Sequence, residues 1–172
     1  MPQVVTKPAL RYDSSMAEPA GVLPDDPETL RCPDAAQWAR MSGDQQRDFV
    51  ESAYEFLRQE RLASPVGRRH KATCARLYRT LHEHCRRILR RLYLADDLGV
   101  LYPGERFFAP DLMAVRDVED LGEDEPRNVW DVTVERRGLD LALEVVVSGS
   151  RRKDLYENVS FYAHLGIAEY FV

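Results

Sequence analysis

Long apolar runs are missing from this 172-residue chain. Without a stretch of about 20 apolar residues no segment can cross a bilayer as a helix. The N-terminus also lacks the apolar core of a signal peptide. Cysteine is scarce: Cys32, Cys74 and Cys85 are the only three, with no CxxC spacing. Neither a zinc site nor a disulfide framework is indicated by that spacing, and a reducing cytoplasm is the simplest compartment for it. A basic excess is missing too. The formal net charge of −5 argues against indiscriminate coating of nucleic acid, but it leaves room for a local basic face. No internal repeat occurs. What remains is an ordinary globular composition, at a length that suits one domain with a sizeable core.

Proline is concentrated at the start, with Pro2, Pro8, Pro19, Pro24, Pro27 and Pro33. Residues 1–33 therefore read as a disordered or loosely attached arm, and 34–172 as the folded domain. Asp34 and Ser42 are placed to cap two helices over 34–61, the second carrying Phe49, Ala53, Phe56 and Leu57 at helical spacing. A break at 63–67 precedes the clearest periodicity in the chain. Cys74, Leu77, Leu81, Cys85, Ile88 and Leu92 form one stripe and predict a helix over about 70–94. Its other faces carry Arg79, Arg86 and Arg90 among further arginines, a surface suited to phosphates. The same arginines could pair with the acidic loop at 117–125 or simply solvate the helix. His82 and His84 lie two apart on this helix, so they diverge and are poor co-ligands.

Beyond Asp97 the period changes to two. Strands are expected at 99–102, 107–115, 129–134 and 139–147, then a helix at 151–165 stopped by Gly166, then a strand from Ile167. This order fits an α/β domain with a mixed sheet. The chain ends inside an apolar run, as expected of an edge strand or a truncated domain.

One residue breaks the pattern. Glu144 stands inside Leu141-Ala142-Leu143-Glu144-Val145-Val146-Val147, where a carboxylate is costly unless paired, hydrogen-bonded or bound to a metal. Alternation puts Asp140, Ala142, Glu144, Val146 and Ser148 on one face, with small residues around the acid. If Asp111 opens the neighbouring strand, the two carboxylates meet near one point. Two carboxylates with waters and a phosphate oxygen suit Mg²⁺, which uses few protein ligands and would activate water and stabilise a leaving oxygen.

Several segments carry a resemblance. They are Pro110-Asp111, Leu143-Glu144-Val145 with Ser148, Arg151-Arg152-Lys153-Asp154, and Tyr162-Ala163-x-x-Gly166-Ile167-x-Glu169-Tyr170. Together they resemble the Uma-type restriction endonuclease family within the PD-(D/E)XK nuclease superfamily. Pro65-Val66-Gly67-Arg68-Arg69-His70 resembles, more weakly, the loop-histidine segment of that family and makes His70 an accessory candidate.

The resemblance implies a restriction-endonuclease-like mixed sheet flanked by helices, and Mg²⁺-dependent hydrolysis of DNA, with Mn²⁺ able to substitute. Asp111 and Glu144 would be the metal ligands, and a lysine would assist. Cutting a duplex on both strands would call for a homodimer. The chain departs from the pattern at two positions: Val146 fills the ExK lysine slot, and Asn158 stands where many members carry a lysine. Lys153 is then the nearest cation for catalysis, with Arg152 beside it as a phosphate contact. The rival expectation is a degenerate nuclease fold that binds nucleic acid or protein without cutting.

Overall fold

The computed structural model describes residues 30–63, 67–88, 91–119, 122, 127–146 and 153–172, except the side chains of 60–63, 153 and 154. Residues 1–29 of the expected arm lie outside this set. Residues 30–33 are docked rather than loose. Cys32 N donates to Glu105 O at 2.7 Å, Phe107 N donates to Leu30 O at 2.9 Å, and Cys32 is buried. The extended stretch finds backbone partners at 105–107, so the described fold begins before the expected boundary at 34.

The two expected caps form. α1 (Ala35–Arg40) starts at Asp34, whose side chain accepts from Gln37 N while the Gln37 side chain accepts from Asp34 N. The same reciprocal box joins Ser42 and Gln45 at the start of α2 (Gly43–Ala63). Trp38 of α1 and Ala53 and Leu57 of α2 pack with Leu101 and Phe107 in one core cluster.

α3 (Arg68–Arg87) ends one turn and more before the predicted residue 94. Leu92–Ala95 instead forms strand β1. Leu92 fits the helical stripe by period, but pairing with the apolar run at 112–116 buries Tyr93 and Leu94 at 3% exposure each. A helix there would leave that run without a partner on this edge, so tertiary pairing overrides the local period. The remaining stripe is only half-covered: Cys74 is the one buried residue of α3.

Six short strands are described: β1, β2 (Val100–Leu101), β3 (Leu112–Arg116), β4 (Trp130–Asp131), β5 (Leu141–Leu143) and β6 (Glu169–Phe171). They form a sheet in the order β1-β3-β5-β6 and a small pair, β2-β4. β1/β3 and β3/β5 are antiparallel, whereas β5/β6 and β2/β4 are parallel. β3 is central and apolar on both faces, with Leu112 to Val115 all buried.

The predicted strands at 107–115, 129–134 and 139–147 are shorter than expected. β3 begins at Leu112, and Phe108 makes only an isolated bridge with Val100. β4 gives way to a four-residue helical turn, α4 (Val132–Glu135). Asp131 causes this change: its carboxylate caps Thr133 N at 2.8 Å and Val134 N at 3.3 Å. β5 stops at Leu143, which leaves Glu144 just past the strand end.

A π-helical turn, Lys153–Glu157, leads into α5 (Asn158–His164). Gly166 ends this helix at φ 74°, a left-handed conformation that favours glycine. Phe161 and Tyr162 of α5 join Met113, Val115 and Ala142 in the main core cluster. α5 thus covers the face of the sheet to which Asp111 and Glu144 also belong by alternation.

Candidate functional site

Leu112 pairs with Leu143 in the antiparallel β3/β5 register. One step further along the same register, Asp111 stands opposite Glu144. Opposed residues of an antiparallel pair share a face, with Cβ atoms about 4.5–5.5 Å apart. Asp111 and Glu144 each sit just outside the neighbouring strands, not within them as the sequence pattern suggests for Glu144. Asp111 N donates to Glu144 Oε2 at 3.4 Å, and Glu144 N donates to Phe171 O at 2.9 Å. The second bond continues the β5/β6 ladder and holds the Glu144 backbone in place.

Each carboxylate has its own support. Asp111 Oδ2 accepts from Val145 N at 2.7 Å and lies 2.8 Å from His70 Nε2. His70 lies in the first turn of α3, which places the accessory histidine directly on the candidate acid. Cys74, one helical turn later, puts Sγ 3.7 Å from His70 Nδ1. Burial, followed by the charges of Asp111, Asp97 and Asp96, pushes the Cys74 thiol up to about 11. The surroundings of this thiol are therefore electronegative.

Glu144 Oε1 accepts from the Tyr162 hydroxyl at 2.7 Å. Burial, then the Glu144 charge, raises the Tyr162 phenol far above its ordinary range, so it remains a neutral donor. The sequence reading uses Tyr162 within the resembling segment at 162–170 and does not anticipate this contact. The available signal was the phenol itself, since a buried tyrosine hydroxyl usually finds a partner.

Asn158, the second departure from the expected pattern, lies among the described residues. Asn158 is 3% exposed, and its Oδ1 accepts from Arg106 Nη2 at 3.0 Å. The Arg106 guanidinium lies 3.9 Å from the Phe161 ring centroid, a cation–π contact. This arginine was not a sequence candidate, yet it brings a cation to α5 two turns before Gly166.

Arg79 and Arg86 are exposed on α3 and make no ion pair among the described residues. The Lys153 side chain, Arg152 and Arg90 lie outside the described residues. Lys153 begins the π-helical turn. A cavity of about 590 Å³ is lined by Arg31, Cys32, Asp34, Gln37 and Met41 among others, and includes neither Asp111 nor Glu144. The chemistry of the donor groups, rather than the size of this hollow, marks the site.

The acids fit a hard divalent cation. The two acids stand opposite one another at facing strand ends, and the Asp111 contacts to His70 and Val145 N fall on Oδ2. Oxygen donors of this kind suit Mg²⁺ or Mn²⁺. No helix among the described residues is long and apolar enough to cross a membrane.

The model of the Uma2 family, described as "Putative restriction endonuclease", matches residues 40–172. No curated protein and no solved structure matches the chain. The match spans most of the sequence, and the chain belongs to this family. Its α/β architecture, with a mixed sheet and flanking helices, is the restriction-endonuclease-like fold of that family.

Proposed function

As a member of the Uma2 family, this chain, we propose, hydrolyses DNA phosphodiester bonds with a divalent ion, Mg²⁺ or Mn²⁺, held by Asp111 and Glu144. The observation that carries the proposal is the cross-strand juxtaposition of the two acids, each oriented by its own partner. When bound, such an ion polarises the scissile phosphate and lowers the pKa of a water. Asp111 and Glu144 hold the ion. His70 and Val145 N fix the Asp111 carboxylate, and the Tyr162 hydroxyl fixes Glu144; partners of this kind orient metal ligands. Val146 supplies no ammonium, so Lys153 is assigned the role of orienting the water or offsetting charge on the phosphate. Arg152, Arg79, Arg86 and Arg90 are assigned contacts to the DNA backbone, which is read through charge rather than sequence. The folded domain is taken as 34–172 with 30–33 docked on it, and a homodimer would place one site on each strand.

The experiment compares Mg²⁺-dependent cleavage of DNA by the wild type, Glu144→Gln and Lys153→Met. Cleavage by the wild type and its loss in both variants, with Mg²⁺-dependent DNA binding retained in Lys153→Met, supports the assignment. Cleavage by Lys153→Met at the wild-type rate removes that lysine from the mechanism. A second reading, a degenerate fold that binds without cutting, draws support from Val146 and from the burial of Asn158 against Arg106. It becomes the better account if the wild type cuts no DNA with Mg²⁺ or Mn²⁺.

A further inference from the structure

Asp111 belongs to a second group of donors that includes no other acid. His70, Cys74 and Asp111 each offer one ligand atom, and these atoms lie within 4.8 Å of one another. The side chains of His70 and Asp111 are 14% and 18% exposed, and Cys74 is buried. The group is therefore partly withdrawn from water but not sealed from it. His70 and Cys74 are four apart on α3, so their side chains share a face of the helix. Asp111 reaches them from the start of β3 and is braced from behind by Val145 N.

We propose that His70, Cys74 and Asp111 form a binding site for a borderline-soft transition-metal ion of the Zn²⁺ class. The inference rests on the reading above in that the two sites share Asp111. Its chemistry is different. Mg²⁺ takes oxygen donors and has little use for sulfur or imidazole, whereas Zn²⁺ takes thiolate, imidazole and carboxylate together. Three protein ligands with a fourth position open to solvent is the ligand count of catalytic zinc sites. A tetrahedral ion at about 2.0–2.3 Å from its donors holds them about 3.3–3.8 Å apart. The present donor atoms, within 4.8 Å of one another, must draw in by no more than about 1.5 Å to meet that spacing. On binding, the metal–sulfur bond forms as the Cys74 thiol releases its proton to solvent. The hydrogen bond between His70 and Asp111 gives way as both become ligands. An ion here engages Asp111 and so competes with Mg²⁺ held between Asp111 and Glu144. Zn²⁺ would then act as an inhibitor that the same cluster recognises.

The test is read on the protein without DNA. The full-length chain is titrated with Co²⁺, and the near-ultraviolet thiolate-to-cobalt charge-transfer band is followed. Zn²⁺ affinity is measured by competition with a chromogenic chelator. The wild type should show the band at one ion per chain, and Cys74→Ser should lose it. Cys32→Ser and Cys85→Ser should keep it, which controls for the other thiols. His70→Ala should weaken Zn²⁺ at least about tenfold, the scale expected for loss of one ligand or its support. Thermal melts check that each variant is folded. A wild type without the band overturns the proposal, as does a band that survives in folded Cys74→Ser or an affinity unchanged in folded His70→Ala. The two readings fail separately. The sulfur–cobalt band does not depend on nuclease activity, and Mg²⁺-dependent cleavage judged by Glu144→Gln does not depend on the band.

Discussion

Replacing Tyr162 with Phe removes one hydroxyl and leaves the rest of the core in place. The ring is 3% exposed and packs on Phe108, Phe161 and Tyr170 at centroid distances of 5.6, 5.7 and 4.9 Å. Phenylalanine keeps all three ring contacts, so no cavity of note opens. What is lost is a 2.7 Å hydrogen bond to the Glu144 carboxylate. A hydrogen bond to a charged acceptor contributes about 1.5–3 kcal/mol. At about 2–4 °C per kcal/mol for a chain of this size, the melting midpoint should fall by about 3–12 °C. The phenol stays neutral well past any working pH, because its ionisation is pushed far up. The difference should therefore not vary with the ionisation of Tyr162. A second effect follows at the site. Glu144 loses the group that orients it, and loss of such a partner typically weakens metal binding by about 10–100-fold. Calorimetric melting and Mg²⁺ or Mn²⁺ titration of both proteins read the two effects. An unchanged midpoint with unchanged metal affinity would refute the claim that this hydroxyl holds Glu144.

Three more outcomes follow from particular contacts. Asp140 is burdened by burial, but Arg116 N at 2.8 Å, the Arg116 guanidinium at 2.7 Å and Arg137 hold its carboxyl below the usual range. A depressed folded pKa contributes stability above the unfolded pKa and loses it as pH falls through the folded one. Asp140→Asn should thus melt lower than wild type at neutral pH, with the gap closing below about pH 4; a constant gap in melting curves across that range contradicts the linkage. Gly99→Ala would put a methyl 2.3 Å from Phe107 Cζ and 3.1 Å from Tyr54 Cζ, so overpacking should cost about 1–3 kcal/mol in denaturant unfolding. Neutralising Arg79 and Arg86 should weaken DNA binding and flatten its log–log salt dependence by about one slope unit per lost phosphate contact; an unchanged slope returns them to a solvated helix face.

Local chemistry made much of this molecule legible before any coordinates. Asp34 and Ser42 announce helix starts because a cap acts within three residues, and Gly166 announces a stop because only its own φ must turn positive. The apolar run at 112–115 announces a central strand because both of its faces are covered. Glu144 was conspicuous because a carboxylate in an apolar run needs a reason. Tertiary structure decided the remainder. Leu92–Ala95 satisfies a helical period and becomes a strand, since only pairing with β3 buries Tyr93 and Leu94. Which polar groups meet also depends on contacts distant in sequence. His70 reaches Asp111 across 41 residues, Tyr162 reaches Glu144 across 18, and Arg106 reaches Asn158 across 52. Residue type and spacing show which side chains could donate, accept or ligate. The β3/β5 register and the seating of α3 and α5 select, from those, the few that come within bonding distance.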